Sequence, residues 1–132
     1  MTPSLKSPTT EDIEALAERA FADIPIQLRE VTGDIVFRVE EFPDDETVAA
    51  LKPDSPFELL GLYQGVDLTQ KSVADSSAEQ DMIFLYRRPL LDYWCETGAS
   101  LDGLVRHVLI HEIGHHFVFS DADMQALEAS SE

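Results

Sequence analysis

The sequence predicts an α+β fold in one domain, and three observations predict it. Residues 34–42 alternate apolar and polar side chains, and 81–87 form a second short apolar run of strand length. Apolar residues recur at helical spacing from Ile13 to Phe21 and from Leu104 to Phe117. The 132 residues suit one hydrophobic core, and no internal repeat or low-complexity stretch divides them. The expected architecture is a small twisted sheet packed with helices over 1–132.

Residues 1–8 contain two prolines and small polar residues, and read as a mobile leader. Thr9-Thr10-Glu11-Asp12 reads as an N-cap with an acidic first turn. Ile13, Leu16, Ala17, Ala20 and Phe21 then give one apolar helix face, ending near Ala22 before Pro25. Pro25 to Val31 reads as a second short helix ended by Gly33, with a strand as the alternative. In 34–42, Ile35, Phe37 and Val39 face one way and Val36 and Arg38 the other. Pro43-Asp44-Asp45 is a turn and cap for a short helix through Val48 to Leu51, broken by Lys52-Pro53. Leu59 to Tyr63 reads as turn and strand, and 67–80 as a polar loop. Pro89 suits the first position of a helix carrying Leu91, Tyr93 and Trp94, which Gly98 ends. Ser100 caps the central helix. There Val105, Val108, Leu109, Ile110, Ile113 and Phe117 cover nearly every face, the pattern of a buried helix. Ser120 to Asp123 resembles a cap for a last helix through Leu127, with Met124 in the core.

Composition narrows the function. Net charge is −17, from 26 acidic and nine basic residues, and Arg87-Arg88 is the one adjacent basic pair. Nucleic acid and anionic membrane require clustered cations, so neither is expected as a partner. No run reaches the roughly 18 apolar residues of a membrane span. No apolar signal segment is visible near Met1, and the single cysteine, Cys95, points to a reducing compartment. A cytoplasmic location is expected, with Cys95 as a small buried hydrophobe. Oligomeric state has no signature in the sequence.

Inside the central helix lies His111-Glu112-Ile113-Gly114-His115-His116, an H-E-x-x-H pattern. Residues four apart share one helix face, so His111 and His115 can aim two imidazoles at one metal ion. Zinc accepts such nitrogens at about 2.0–2.1 Å, and a catalytic zinc keeps a position open for water. Glu112 lies about 100° around the helix, where it can reach that water without binding the metal. Metal-assisted hydrolysis needs this division of labour: the metal acidifies the water and the carboxylate takes its proton. The bland alternative is a helix whose histidines are simply hydrogen-bonded. A metal would satisfy two buried polar side chains at once, which favours the functional reading.

Asp121, six residues after His115, is the first choice for a third ligand. In an unbroken helix it would sit about 9 Å along the axis from His115, too far to share an ion. The helix must therefore break between His116 and Ser120. The competing reading of Asp121 is a first-turn acid of the last helix, with Asp123 and Glu128 as substitute ligands. His107 and His116 are read as core or surface histidines, with outer hydrogen bonding to the site as the alternative. Tyr86, Tyr93 and His116 are candidates to stabilise an oxyanion.

His-Glu-x-x-His with Asp121 beyond it resembles the zincin metallopeptidases, and is similar to snapalysin-type sites where Asp replaces a third His. Arg106-His107 through Met124, with Leu60-Gly-Leu-Tyr-Gln-Gly65 upstream, resembles a family of small bacterial zincin-like proteins. The resemblance implies a minimal zincin fold, a Zn2+ site, and hydrolysis of a peptide or protein substrate. Val118 stands where the metzincin pattern places a glycine, so the turn cannot use a left-handed residue there at low cost. In zincins an extended peptide lies beside an edge strand near the active helix, and 81–87 is the expected strand. Two rivals are a non-catalytic metal- or partner-binding domain of the same fold and a metal-dependent RNase; the sparse basic residues and Glu112 weigh against the RNase.

Overall fold

The computed structural model describes residues 7–65 and 80–117. Helix α1 is Thr10–Asp23. Thr9 and Asp12 close a capping box: Asp12 N–H donates to Thr9 Oγ1 at 3.1 Å and Thr9 N–H to the Asp12 carboxylate at 2.9 Å. Ile13, Ala17 and Ala20 form its buried stripe. Helix α2 is Ile26–Thr32, so the helical reading of this segment holds. It ends at Gly33, whose φ of 64° suits a residue without Cβ. Strand β1 is Ile35–Glu40. Helix α3, Asp45–Leu51, starts where Asp44 accepts from Thr47 N–H at 2.7 Å. It stops at Lys52, left-handed at φ 49°; the following Pro53 disfavours helical geometry at that position.

A 3₁₀ turn over Pro56–Glu58 leads into strand β2, Gly61–Gln64. Strand β3, Asp81–Tyr86, runs directly into helix α4, Arg87–Thr97. Pro89 is thus the third helical residue rather than the first. First-turn N–H groups have no intrahelical acceptor, so the ring costs no hydrogen bond there. Helix α5 is Leu101–His116, capped by Ser100, which accepts from Gly103 N–H at 3.2 Å.

The sheet order is β1-β3-β2. β1 runs parallel to β3, pairing Ile35 with Asp81 through Glu40 with Tyr86; β2 runs antiparallel, pairing Gly61 with Leu85 and Gln64 with Met82. The strand expected to be an edge, 81–87, is therefore flanked on both sides, and among the described residues β2 is an edge beside α5. In β3, Ile83, Leu85 and Tyr86 are buried while Met82 and Phe84 are half-buried, as suits a central strand with one face packed and the other partly open. On one face, Ile83 and Leu85 meet α1 and α5 in a core with Ile13, Leu28, Leu109 and Ile113. Replacing Ile83, which is fully buried, by Ala should cost about 2–5 kcal/mol, read as a lowered urea midpoint at unchanged slope.

Three expectations change. Helix α5 is buried on one side only: Val105, Val108, Leu109, Ile110 and Ile113 pack inward, while His107, His115 and His116 are exposed. Aliphatic residues at nearly every angle concealed the open stripe between them. Cys95 is exposed rather than core. Ser7 and Pro8 are not loose: Arg87 donates to Pro8 O at 2.6 Å and Ser7 Oγ at 2.8 Å, and pairs with Glu41 at 2.9 Å.

Candidate metal centre

Helix α5 carries His107, His111 and His115 at four-residue spacing along its accessible side. The His111 and His115 rings lie 5.8 Å apart between centroids, at 77° to each other. Two imidazoles sharing one tetrahedral zinc at the usual bond length would place their centroids roughly 5 Å apart. The pair therefore fits a shared ion after a small side-chain adjustment. His107 lies closer to His111, at 4.1 Å with a 42° tilt, which is ring-on-ring contact rather than convergence.

Glu112 is half-buried beside this pair. Burial raises its carboxyl above the usual range; a hydrogen bond from the Tyr63 backbone N–H and the charge of His115 act against the rise. That N–H is available because of β2's register. Tyr86 N–H donates to Leu60 O at 3.0 Å, and bonded pairs alternate along an antiparallel ladder. Leu62 and Gln64 thus bond towards β3, and the backbone groups of Gly61 and Tyr63 turn to the side of β2 that no other described strand pairs. The general-base candidate of the helix and the edge of the sheet meet at Tyr63.

Tyr63 is itself tightly surrounded. Its ring stacks on His116, with centroids 4.1 Å apart and planes at 20°, and meets Phe117 edge-on at 5.7 Å. Its hydroxyl donates to Asp81 at 2.5 Å. Burial, then the bond to Asp81 and its charge, push the phenol far up, so it stays a neutral donor. Tyr86 is pushed up to about 12, by burial first and then by the charges of Asp44 and Glu40. A phenol held neutral in this way can donate a hydrogen bond, which keeps Tyr86 among the oxyanion candidates. Tyr93 is exposed on α4.

Helix α5 ends at His116, and Phe117 leaves the helical region at φ −96°, ψ 13°. Helix α5 thus ends inside the 116–120 window in which a third ligand at Asp121 would require a break. Asp121, Asp123, Met124 and Glu128 lie outside the described residues, as does the expected last helix. Among the described residues, no group of three or more His, Cys, Asp or Glu forms a metal cluster.

Sequence reasoning missed Tyr63 and Asp81. A backbone donor leaves no trace in residue type, and the Gly-x-Tyr-x-Gly spacing of 61–65 gained meaning only when the edge strand was placed against α5.

Known proteins place the chain in a family. A family model described as zincin-like metallopeptidase matches residues 32–130, and the chain belongs to that family. The match takes in β1 to β3, α4 and all of α5. Among solved structures, a conserved hypothetical protein from Thermo thermophilus has the same fold: TM-score 0.51 at 20% identity, covering 83% of this chain and 94% of that one. No curated protein matches. Among the described residues, no helix is long and apolar enough to cross a membrane.

Proposed function

We propose that this protein is a zinc-dependent peptidase, with His111, His115 and Asp121 as metal ligands and Glu112 as general base. The observation that carries the reading is the closeness of the His111 and His115 rings, 5.8 Å between centroids on the open side of α5, with Glu112 half-buried on the same helix. Zinc bound there would acidify a water molecule and polarise the carbonyl of a scissile bond. The chain's own residues do the rest. His111 and His115 hold the ion through imidazole nitrogens. Glu112 accepts the proton released from the attacking water and returns it to the leaving amine. Its raised pKa suits both acts, because a base works best when its pKa approaches the operating pH.

A peptide substrate would pair with β2 through the outward backbone groups of Gly61 and the outward carbonyl of Tyr63, beside the helix. Alternate side chains would then face α5 or the opposite side of the sheet, where Leu62, Phe84, Tyr86 and Ala50 line a cleft of about 340 Å³. A peptide hydroxamate should shift the backbone NMR signals of residues 60–65 while leaving those of 35–38 in place; the reverse pattern would put the substrate on β1.

The function is tested by incubating the purified zinc-loaded chain with a peptide library and reading fragments by mass spectrometry. Cleavage that a chelator removes and zinc restores is the expected result. Cleavage indifferent to the chelator, or none with zinc bound, would overturn the peptidase reading.

A further inference from the structure

We propose that the cleft between α3 and the sheet binds an arginine or lysine side chain of the substrate, so that the protein selects peptides with a basic residue near the scissile bond. The proposal rests on the peptidase reading for the substrate, and on the cleft's own chemistry for the charge. Leu62 and Phe84 are register partners on the face of the sheet opposite Ile83 and Leu85. With Tyr86 they form the floor of the cleft, and Ala50 and Leu51 of α3 form a wall. Glu40, Asp44 and Glu46 line it as well. Its volume of about 340 Å³ lies at the small end of ligand pockets, room for one side chain rather than a length of peptide.

An apolar floor by itself would suit an aliphatic guest. The three carboxylates change the choice. No lysine, arginine or histidine stands among the described lining residues. Among the described residues, Arg87 pairs with Glu41, and none of the three cleft acids takes part in an ion pair. Arg38, the register partner of Phe84, is exposed and outside the lining. A neutral guest would leave three like charges around one small cavity uncompensated, whereas a cation would offset them. Arginine and lysine carry an apolar stem under a charged head, the same pairing of surfaces that the cleft presents. The Phe84 and Tyr86 rings lie 6.4 Å apart and nearly parallel, at 11°. Such aromatic surface also attracts a guanidinium or ammonium group.

The cleft adjoins the helix of the candidate metal centre. Tyr63 borders the cleft, and its ring stacks on His116, the neighbour of His115, with centroids 4.1 Å apart. A peptide strand beside β2 would turn alternate side chains to the Leu62 side of the sheet, where the cleft opens. A net charge of −17 draws any cation towards the protein from a distance. An arginine held in the cleft differs from one merely attracted, because its binding depends on these three acids and not on acids elsewhere.

Two readouts on the full chain test this. The first is binding of N-acetyl-arginine amide and of N-acetyl-citrulline amide, which has nearly the same shape without the charge. The arginine probe should shift the NMR signals of Leu62, Gln64 and Phe84 and bind roughly tenfold more tightly, the scale of hydrogen bonds to a charged partner. Combining Glu40→Gln, Asp44→Asn and Glu46→Gln should bring its affinity down to that of the citrulline probe; asparagine still caps α3. Combining Glu14→Gln, Glu18→Gln and Glu30→Gln removes the same charge from exposed positions of α1 and α2 and should leave the preference in place. The second readout is a peptide library cleaved by the zinc-loaded protein. Arginine and lysine should be enriched roughly tenfold at one fixed position from the cut, and the cleft variant should lose that enrichment with zinc content unchanged. Equal binding of the two probes overturns the proposal, as does an equal loss in the control variant. A library that favours aliphatic residues, or no residue, at every position overturns the cleft as a substrate subsite. If the wild type cleaves no peptide, the peptidase reading fails, while the probes still decide whether the cleft takes a cationic side chain.

Discussion

Glu112→Gln should retain one zinc per chain and lose peptide hydrolysis by roughly 10²–10⁴-fold, the contribution of a positioned general base. The substitution keeps the size of the side chain, and its amide oxygen can still accept from Tyr63 N–H. What it removes is proton affinity: an amide cannot take the proton of the attacking water. Because burial already raises the Glu112 carboxyl, the variant places a neutral group where a charge was costly, so folding should be unharmed or slightly improved. The check is a pair of measurements on one preparation, metal content and the rate on a single peptide. Full activity in Glu112→Gln would falsify its role as base. The non-catalytic alternative predicts no wild-type turnover, and hence no difference between the two proteins.

His111→Ala and His115→Ala should each abolish stoichiometric zinc binding. A three-ligand site that loses one imidazole keeps two donors, too few to compete with solvent for the ion. His115 is exposed and His111 half-buried, so neither truncation opens a cavity in the core and stability without metal should change little. Asp121→Ala should weaken zinc binding and reduce activity together, unlike Glu112→Gln. Isothermal titration with zinc separates these outcomes. Full occupancy in both histidine variants would move the metal elsewhere. Unchanged affinity in Asp121→Ala would pass the third position to Asp123, Glu128 or an acid from elsewhere in the chain.

Much of the fold was legible because local chemistry and tertiary packing agree. Thr9, Asp44 and Ser100 cap helices as their side chains suggest, and Gly33 and Gly98 end helices in left-handed backbone at φ 64° and 69°. The H-E-x-x-H spacing sets two imidazoles on one helix face, and their rings lie near each other there. Strand order was not legible. Ile83 and Leu85 show that 81–86 is buried, but periodicity does not say which strands flank it, so the edge passed to β2. The exposure of His107, His115 and His116 was hidden by the aliphatic residues between them.

The most direct test of the metal centre is the zinc X-ray absorption spectrum of the purified chain loaded with one equivalent of zinc. Two imidazole nitrogens at about 2.0–2.1 Å, completed by oxygen, are predicted, with one imidazole fewer or no bound metal in His115→Ala. A shell containing sulfur, which only Cys95 or a methionine could supply, or a shell of oxygen alone, would contradict the assignment of His111 and His115 as ligands.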